Sequence, residues 1–246
     1  MSDCIYLDFN ASTPLDPLVA GAMTRYLTES FGNPSSLHWA GVPARDAIES
    51  SRAKVASLLN CDPTEIIFTS GGTESNNYAL KGSYFACLNR GAPFHVITSQ
   101  IEHLSILEPI RFLERLGSEV TRLRVDRHGI VSPDDVRKAI RPNTSFVSIM
   151  HANNEVGTIQ PIAEIAAIAH SHGIVVHSDA AQTVGKIEVD VEAMGVSYEL
   201  GLGSVRFSLG RATTVKEIKD VLDALQTLYA FDRLQTGTES TYGEVN

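Results

Sequence analysis

The sequence predicts an α/β fold with a mainly parallel sheet flanked by helices. Two observations carry this. Short β-branched runs alternate with helix-like stretches, which is the pattern of βαβ units. The runs at 66–68, 147–149 and 174–176 are continuously apolar, as strands buried on both faces require.

The first run is Ile5–Asp8. It precedes Asp16–Glu29, where Leu18, Val19, Ala22, Met23, Tyr26 and Leu27 share one helical face. Asp16 is the expected N-cap of that helix and Pro17 its first residue. The run Glu65–Ser70 leads into Gly71-Gly72-Thr73-Glu74-Ser75-Asn76, which opens a helix. His95–Ser99, Glu119–Val125 and Thr144–Met150 are the next runs. Ser132-Pro133-Asp134-Asp135 starts a helix between the last two. Pro161–His172 is a helix ending at Gly173, a residue suited to the position after a helix. Ile174–Ser178 and Ser204–Leu209 complete the set, and Thr214-Val-Lys-Glu217 is a capping box. The chain contains no internal repeat, low-complexity tract or Gly/Ser/Pro-rich linker.

Composition narrows the function classes. The 246 residues are 43% hydrophobic and 20% charged, enough to build a real core. A net charge of -9 argues against a nucleic-acid partner, which calls for a cationic surface. No apolar run approaches the length of a membrane span. Met1-Ser-Asp-Cys-Ile-Tyr6 has neither the basic nor the apolar stretch of a signal peptide, nor the arginines of a transit peptide. Cys4, Cys61 and Cys87 are odd in number and lack CxxC spacing, so a reducing compartment fits. The expectation is a soluble, acidic, cytoplasmic protein.

Ligands in open α/β sheets sit beyond the carboxyl ends of the strands. Four polar clusters follow four of the runs: Gly71–Asn76, Gln100-Ile-Glu102-His103, His151-Ala-Asn153-Asn154-Glu155 and Asp179-Ala-Ala-Gln182. Each has a plain structural reading. Glycines at a strand-to-helix turn serve the backbone, His103 can be an ordinary surface or core histidine, the asparagines can shape a turn, and Asp179 can cap a helix. Four such clusters on one edge together point to a site.

The groups match the parts of one ligand. Gly72 and Thr73 at a helix start suit a phosphate, because backbone N–H groups and the helix dipole both face it. His103 offers a flat surface for a ring. Asp179 offers a carboxylate to a pyridinium nitrogen, and Gln182 or Asn154 an amide to a phenolic oxygen. That set describes pyridoxal 5′-phosphate. A metal held by Glu102, His103, His151, His177 and Asp179 is the competing arrangement, although no spacing among them matches a known ligand motif.

Long motifs extend this reading. Tyr6-Leu-Asp-Phe-Asn-Ala-Ser-Thr-Pro14, Phe31-Gly-Asn-Pro-Ser-Ser36 and Phe68-Thr-Ser-Gly-Gly-Thr-Glu-Ser-Asn76 resemble the cysteine desulfurase / selenocysteine lyase family. So do Glu102-His103, Ser148-Ile-Met-His-Ala-Asn-Asn-Glu-Val-Gly157, His177-Ser-Asp-Ala-Ala-Gln-Thr-Val-Gly-Lys186 and Ser204-Val-Arg-Phe-Ser-Leu-Gly-Arg211. The resemblance implies the fold of type I pyridoxal-phosphate enzymes, normally a homodimer. It implies that Gly72 and Thr73 hold the phosphate, that His103 stacks on the ring and moves protons, and that Asp179 pairs with the ring nitrogen. It further implies that Asn154 and Gln182 reach the phenolic oxygen. Arg206, with Asn154, would bind the substrate carboxylate. The parent reaction removes sulfur from L-cysteine, or selenium from L-selenocysteine, leaving alanine, and serves iron–sulfur cluster assembly or selenium metabolism.

Two reactive groups of that family have no counterpart here. The Schiff-base lysine would lie between Asp179 and Arg206, yet no lysine occurs between Lys186 and Lys216. None of the three cysteines stands in the context of the sulfur-accepting loop. The resemblance therefore implies an internally shortened chain joined near 197–203. It would comprise an N-terminal arm (1–15), a large cofactor-binding domain (16–196) and a remnant of the small domain (197–246). Uncovered apolar helix faces and a bare sheet edge are expected. The alternatives are a cysteine desulfurase-like protein that does not turn over alone and a non-catalytic remnant that holds the cofactor non-covalently or not at all. Such a remnant would pair with an intact paralogue; a split enzyme, with the missing segment on another polypeptide, is the third alternative.

Overall fold

The computed structural model describes residues 5–187. The chain divides into two compact units, Met1–Pro14 with Val205–Asn246, and Leu15–Ser204. In the described part of the first, the Tyr6 and Phe9 rings meet edge to face at 5.0 Å, and the Tyr6 hydroxyl donates to the Asp8 carbonyl at 2.9 Å.

The second unit is built on a four-stranded parallel sheet. Its strands are β1 (His95–Ser99), β2 (Glu119–Leu123), β3 (Thr144–Ser148) and β4 (Val175–His177), in the order β2-β1-β3-β4. The α/β expectation is met. Successive residues of a strand face opposite sides, which sorts the core into two clusters. Val96 and Phe146 face Leu80 and Tyr84 of α3 (Gly72–Asn89) and Ile106, Ile110 and Leu113 of α4 (Leu104–Arg115). Ile97 and Val147 face Val136 of α5 (Pro133–Ala139) and Ile162 and Ile165 of α6 (Ile162–His170). Helices cover both faces, and the inner strand β1 is buried along its whole length.

Helix signals in the sequence hold well. Asp16 Oδ1 accepts from the Leu18 N–H at 2.8 Å at the start of α1 (Pro17–Thr28), with Pro17 in the first turn. Ser132 is the N-cap residue of α5. Gly173 adopts φ 69° just past α6, a conformation that costs a residue with Cβ. A further helix, α2 (Val42–Leu59), precedes the sheet. Before it, an added Cβ on Gly32 would sit 1.8 Å from the Ala40 carbonyl oxygen, so only glycine fits this loop.

The strand expectations need correction at two places. Ile5–Asp8 is not a strand. Glu65–Ser70 is not one either. Pro63–Glu65 forms a 3-10 turn capped by Asp62, and the extended residues after it pair with no strand. The Ile66 carbonyl accepts instead from Arg52, whose guanidinium lies 5.0 Å over the Phe68 ring. Expected to be buried on both faces, Ile67 is 60% and Phe68 50% exposed. An apolar run becomes a strand only beside a neighbour that satisfies its backbone, and 66–68 has none among the described residues. Val175, on edge strand β4, is likewise 55% exposed. β2 and β3 end at Leu123 and Ser148, two residues before the ends expected from sequence. The run Ser204–Leu209, the capping box at Thr214 and the expected 197–246 segment lie outside the described residues. No helix among the described residues is long and apolar enough to cross a membrane.

The apolar face foreseen on α1 is present and uncovered. The helix buries none of its residues. Leu18 is 85% and Leu27 73% exposed. Contiguous exposed apolar surface of this kind drives association. Replacing both (Leu18→Glu with Leu27→Glu) is expected to move stability by no more than about 0.5 kcal/mol per site in urea titrations. The same change should reduce self-association in size-exclusion chromatography. A stability loss of about 2 kcal/mol or more would mean that this face is packed in the native chain.

Candidate functional site

All four strands are parallel, so their carboxyl ends share one edge, and the loops that leave them meet there. The turn after β1 carries Glu102, which is buried. Its carboxylate accepts from the Ser99 hydroxyl at 2.6 Å and from the Met150 N–H at 3.0 Å, tying the end of β1 to the segment after β3. Burial pushes its carboxyl up to about 7. The bonds from Ser99 and Met150 oppose that shift, and the nearby Asp179 charge adds to it.

His103, next in sequence, is neither a core histidine nor an idle surface one. It caps α4, its Nδ1 accepting from the Ser105 N–H at 3.1 Å. Beyond β3, the His151 N–H donates to the Asp179 carbonyl at 2.8 Å, which aligns the loops after β3 and β4. Asn153 shapes the turn there, its Oδ1 accepting from the N–H groups of Glu155 and Val156. Asp179 accepts from the Ala181 N–H at 3.0 Å and from the Asn76 amide at 2.8 Å. Asn76 also donates to the Ser105 hydroxyl at 2.9 Å, and that hydroxyl lies 2.7 Å from His103 Nδ1. One hydrogen-bonded line therefore joins Asp179, Asn76, Ser105 and His103.

Of the residues singled out by sequence, His103 and Asp179 are brought onto this line. Gly72 and Thr73 open α3, one turn before Asn76 on the same helix. Gly71 offers no side-chain cap to α3, and a Cβ on Gly71 or Gly72 would meet nothing within 4 Å. The first-turn N–H groups of a helix have no intrahelical acceptor. Space and donors for an anion thus coincide at this end. Asn154 and Gln182 lie on the same edge, where the Asn154 amide donates to Glu155 at 2.7 Å and the Gln182 carbonyl accepts from Lys186 at 2.9 Å. Arg206 lies outside the described residues. Sequence reasoning named Asn76 only as the end of the Gly71–Asn76 cluster, without a role of its own, and missed Ser105. Asn76 stands four positions after Gly72, on the same side of the helix, which was the available signal.

The donor set fits pyridoxal phosphate: an open helix start, a carboxylate and an imidazole on one edge. The metal arrangement does not assemble. His177 bonds to Ser148 at 3.0 Å and stacks on Phe146, while His151 bonds to Thr183 at 2.9 Å. Burial lowers the pKa of both rings. Among the described residues, no three His, Cys, Asp or Glu side chains group as metal ligands.

The sequence description of aminotransferase class-V matches residues 5–200. The chain belongs to the class-V aminotransferase family. Curated relatives of this class-V chain include cysteine desulfurase IscS of Dictyoglomus turgidum, 54% identical over 192 residues, which are 78% of this chain and 48% of the relative. The mitosomal cysteine desulfurase of Encephalitozoon cuniculi is 50% identical over 193 residues, 78% of this chain and 45% of the relative. The chain spans about half the length of the curated relatives it matches. Among solved structures, SspA in complex with cysteine aligns with TM-score 0.73 and 43% identity, over 76% of this chain and 53% of that one. A NifS-like protein aligns with TM-score 0.73 and 40% identity, over 76% and 52%. The class-V chain is therefore similar to cysteine desulfurases in sequence and fold, and it has the fold of type I pyridoxal-phosphate enzymes.

Glu102 gives the site a pH signature. Below the ordinary carboxyl value of 4.5, folded and unfolded chains both hold the proton and the group adds no pH dependence. From there to about 7 only the folded chain holds it, so stability falls as pH rises. Above that, both are ionised and the full cost of the buried charge is present, on the order of a few kcal/mol. Glu102→Gln keeps the shape and an acceptor for Met150. Urea midpoints measured from pH 5 to 8 should fall for the parent chain and flatten for this variant, which becomes the more stable of the two near pH 8. Parallel slopes would remove Glu102 as the source.

Proposed function

We propose that this chain is a cysteine desulfurase-like protein that holds pyridoxal 5′-phosphate at the carboxyl edge of its sheet. The observation that carries the reading is the joined Asp179–Asn76–Ser105–His103 line beside the uncapped start of α3. The N–H groups at Gly72 and Thr73 bind the phosphate. Asp179 keeps a proton on the ring nitrogen, since an ionised carboxylate favours its charged partner. His103 stacks on the ring and moves protons at Nε2. Gln182 and Asn154 donate to the phenolic oxygen. Asn154 holds the carboxylate of the amino acid. When bound, the cofactor supplies an electron sink for the α-carbon of an amino acid.

The substrate class is L-cysteine or L-selenocysteine, with sulfur or selenium removed and alanine left. SspA, a structural neighbour, is described in complex with cysteine, which supports that choice. The chain lacks the family's lysine and sulfur-accepting cysteine. A missing positioned base costs about 100- to 10,000-fold in rate, and a missing nucleophile removes the covalent step. The isolated chain therefore binds without turning over. In a second reading it is a non-catalytic partner in a homodimer or beside an intact paralogue, which the uncovered face of α1 favours. A cytoplasmic compartment belongs to the same proposal.

The test is a titration with pyridoxal phosphate followed by absorbance, then borohydride reduction with peptide mapping, and an assay of alanine release from cysteine. Saturable binding is expected, with no lysine adduct fixed by borohydride and no alanine from the chain alone. Asp179→Ala should weaken binding about tenfold or more, as loss of a charge-assisted bond does. A stable adduct on a single lysine with alanine release would overturn the inactive reading. Absence of any binding would overturn the cofactor assignment.

A further inference from the structure

Asn76 lies one turn inside α3 and is buried. Its amide nitrogen donates to Asp179 Oδ2 at 2.8 Å and to Ser105 Oγ at 2.9 Å. A carboxylate can only accept, so Asp179 decides which end of the amide is the NH2 group. Both amide hydrogens are thereby used. Ser105 Oγ has accepted from Asn76 and keeps its own hydrogen for His103 Nδ1, 2.7 Å away. The Ser105 backbone N–H donates to the same nitrogen at 3.1 Å. With two donors directed at Nδ1, the neutral ring carries its hydrogen on Nε2.

We propose that Asn76 is a positioning residue that sets the direction of this hydrogen-bond chain. It holds the Asp179 carboxylate at one end and the Nε2–H form of His103 at the other. A ring whose Nδ1 is engaged exchanges a proton only at Nε2, so a residue one hydroxyl removed from the ring determines which nitrogen of His103 is used. The consequence for pyridoxal phosphate rests on the function proposed above, whereas the tautomer of His103 follows from this chain of bonds alone.

Asn76→Asp replaces a donor by an acceptor. Ser105 Oγ then turns its hydrogen toward the new carboxylate and offers a lone pair to His103, so the chain reverses and the Nδ1–H form gains. Ser105→Ala leaves Nδ1 only its backbone donor.

Long-range proton–nitrogen correlation spectra of the full chain, labelled with 15N in histidine, read this directly at a pH where the rings are neutral. His103 is assigned by the signal lost in His103→Asn. The expected result is an Nε2–H ring in the parent chain, a shift toward Nδ1–H in Asn76→Asp, and an intermediate position in Ser105→Ala. The signals of buried His95 and His151, bonded elsewhere, should stay in place and report an intact fold. If Asn76→Asp disturbs them, Ser105→Ala decides alone. An unchanged His103 in the variants, or an Nδ1–H ring in the parent chain, overturns the proposal.

A parallel titration with pyridoxal phosphate separates the two claims. Asn76→Asp should bind about tenfold more weakly, or worse. No binding by the parent chain, with the spectra as expected, removes the cofactor assignment and keeps the positioning role. Equal binding by parent and Asn76→Asp removes the part of Asn76 in retaining the cofactor.

Discussion

A carboxylate sealed beneath the carboxyl edge of the sheet holds the site in register. Glu102 accepts from Ser99 at the end of β1 and from the Met150 N–H just beyond β3. The first bond closes the turn that delivers His103 to the start of α4. The second fixes the segment whose next residue, His151, donates its backbone N–H to Asp179. The two ends of the hydrogen-bonded line, His103 and Asp179, are therefore placed by loops that Glu102 or its immediate neighbours anchor, while Asn76 and Ser105 are held on α3 and α4. Burial raises its carboxyl to about 7, so the site is held together by a group whose own charge costs stability at neutral pH.

Above this edge the architecture is ordinary and strong. Alternation along β1 and β3 sends Val96 and Phe146 to one layer of helices, and Ile97 and Val147 to the other. Dense apolar packing on both faces gives a rigid base, which is what a site assembled from loops requires. The contrast lies in the N-terminal part. α1 buries nothing, and the stretch after the 3-10 turn carries exposed Ile67 and Phe68. These surfaces have the composition of interior and the accessibility of exterior. A chain that spans about half the length of its relatives is where such a mismatch belongs, since the residues that would cover an apolar face need not be nearby in sequence.

Much of this was legible in the sequence, and particular residues show why. Asp16-Pro17 marked the start of α1 because capping is a matter of three or four consecutive residues. Thr144–Met150 marked an inner strand because the stretch around 147–149 is mainly apolar, as burial on both faces requires. Gly71–Asn76, Glu102-His103 and Asp179 named the site region, because parallel strands put such loops on one edge whatever else the fold does. Ile66–Phe68 was misjudged because an apolar run says what a segment prefers to touch, not whether a neighbour is there. Asn154 and Gln182 were placed on the right edge, but their bonds to Glu155 and Lys186 depend on local rotamers that no pattern encodes.

By itself the sequence determined the α/β class, the starts of α1, α3 and α5, the family and the edge on which chemistry would occur. All of these follow from short-range periodicity, capping and motif order. Only the tertiary structure decided that Asn76 and Ser105 link Asp179 to His103, that Glu102 is buried beneath them, and that the 66–68 run stays unpaired. The physical reason is separation along the chain. Asn76 and Asp179 stand on different elements and come within 2.8 Å only once the sheet and its helices have packed.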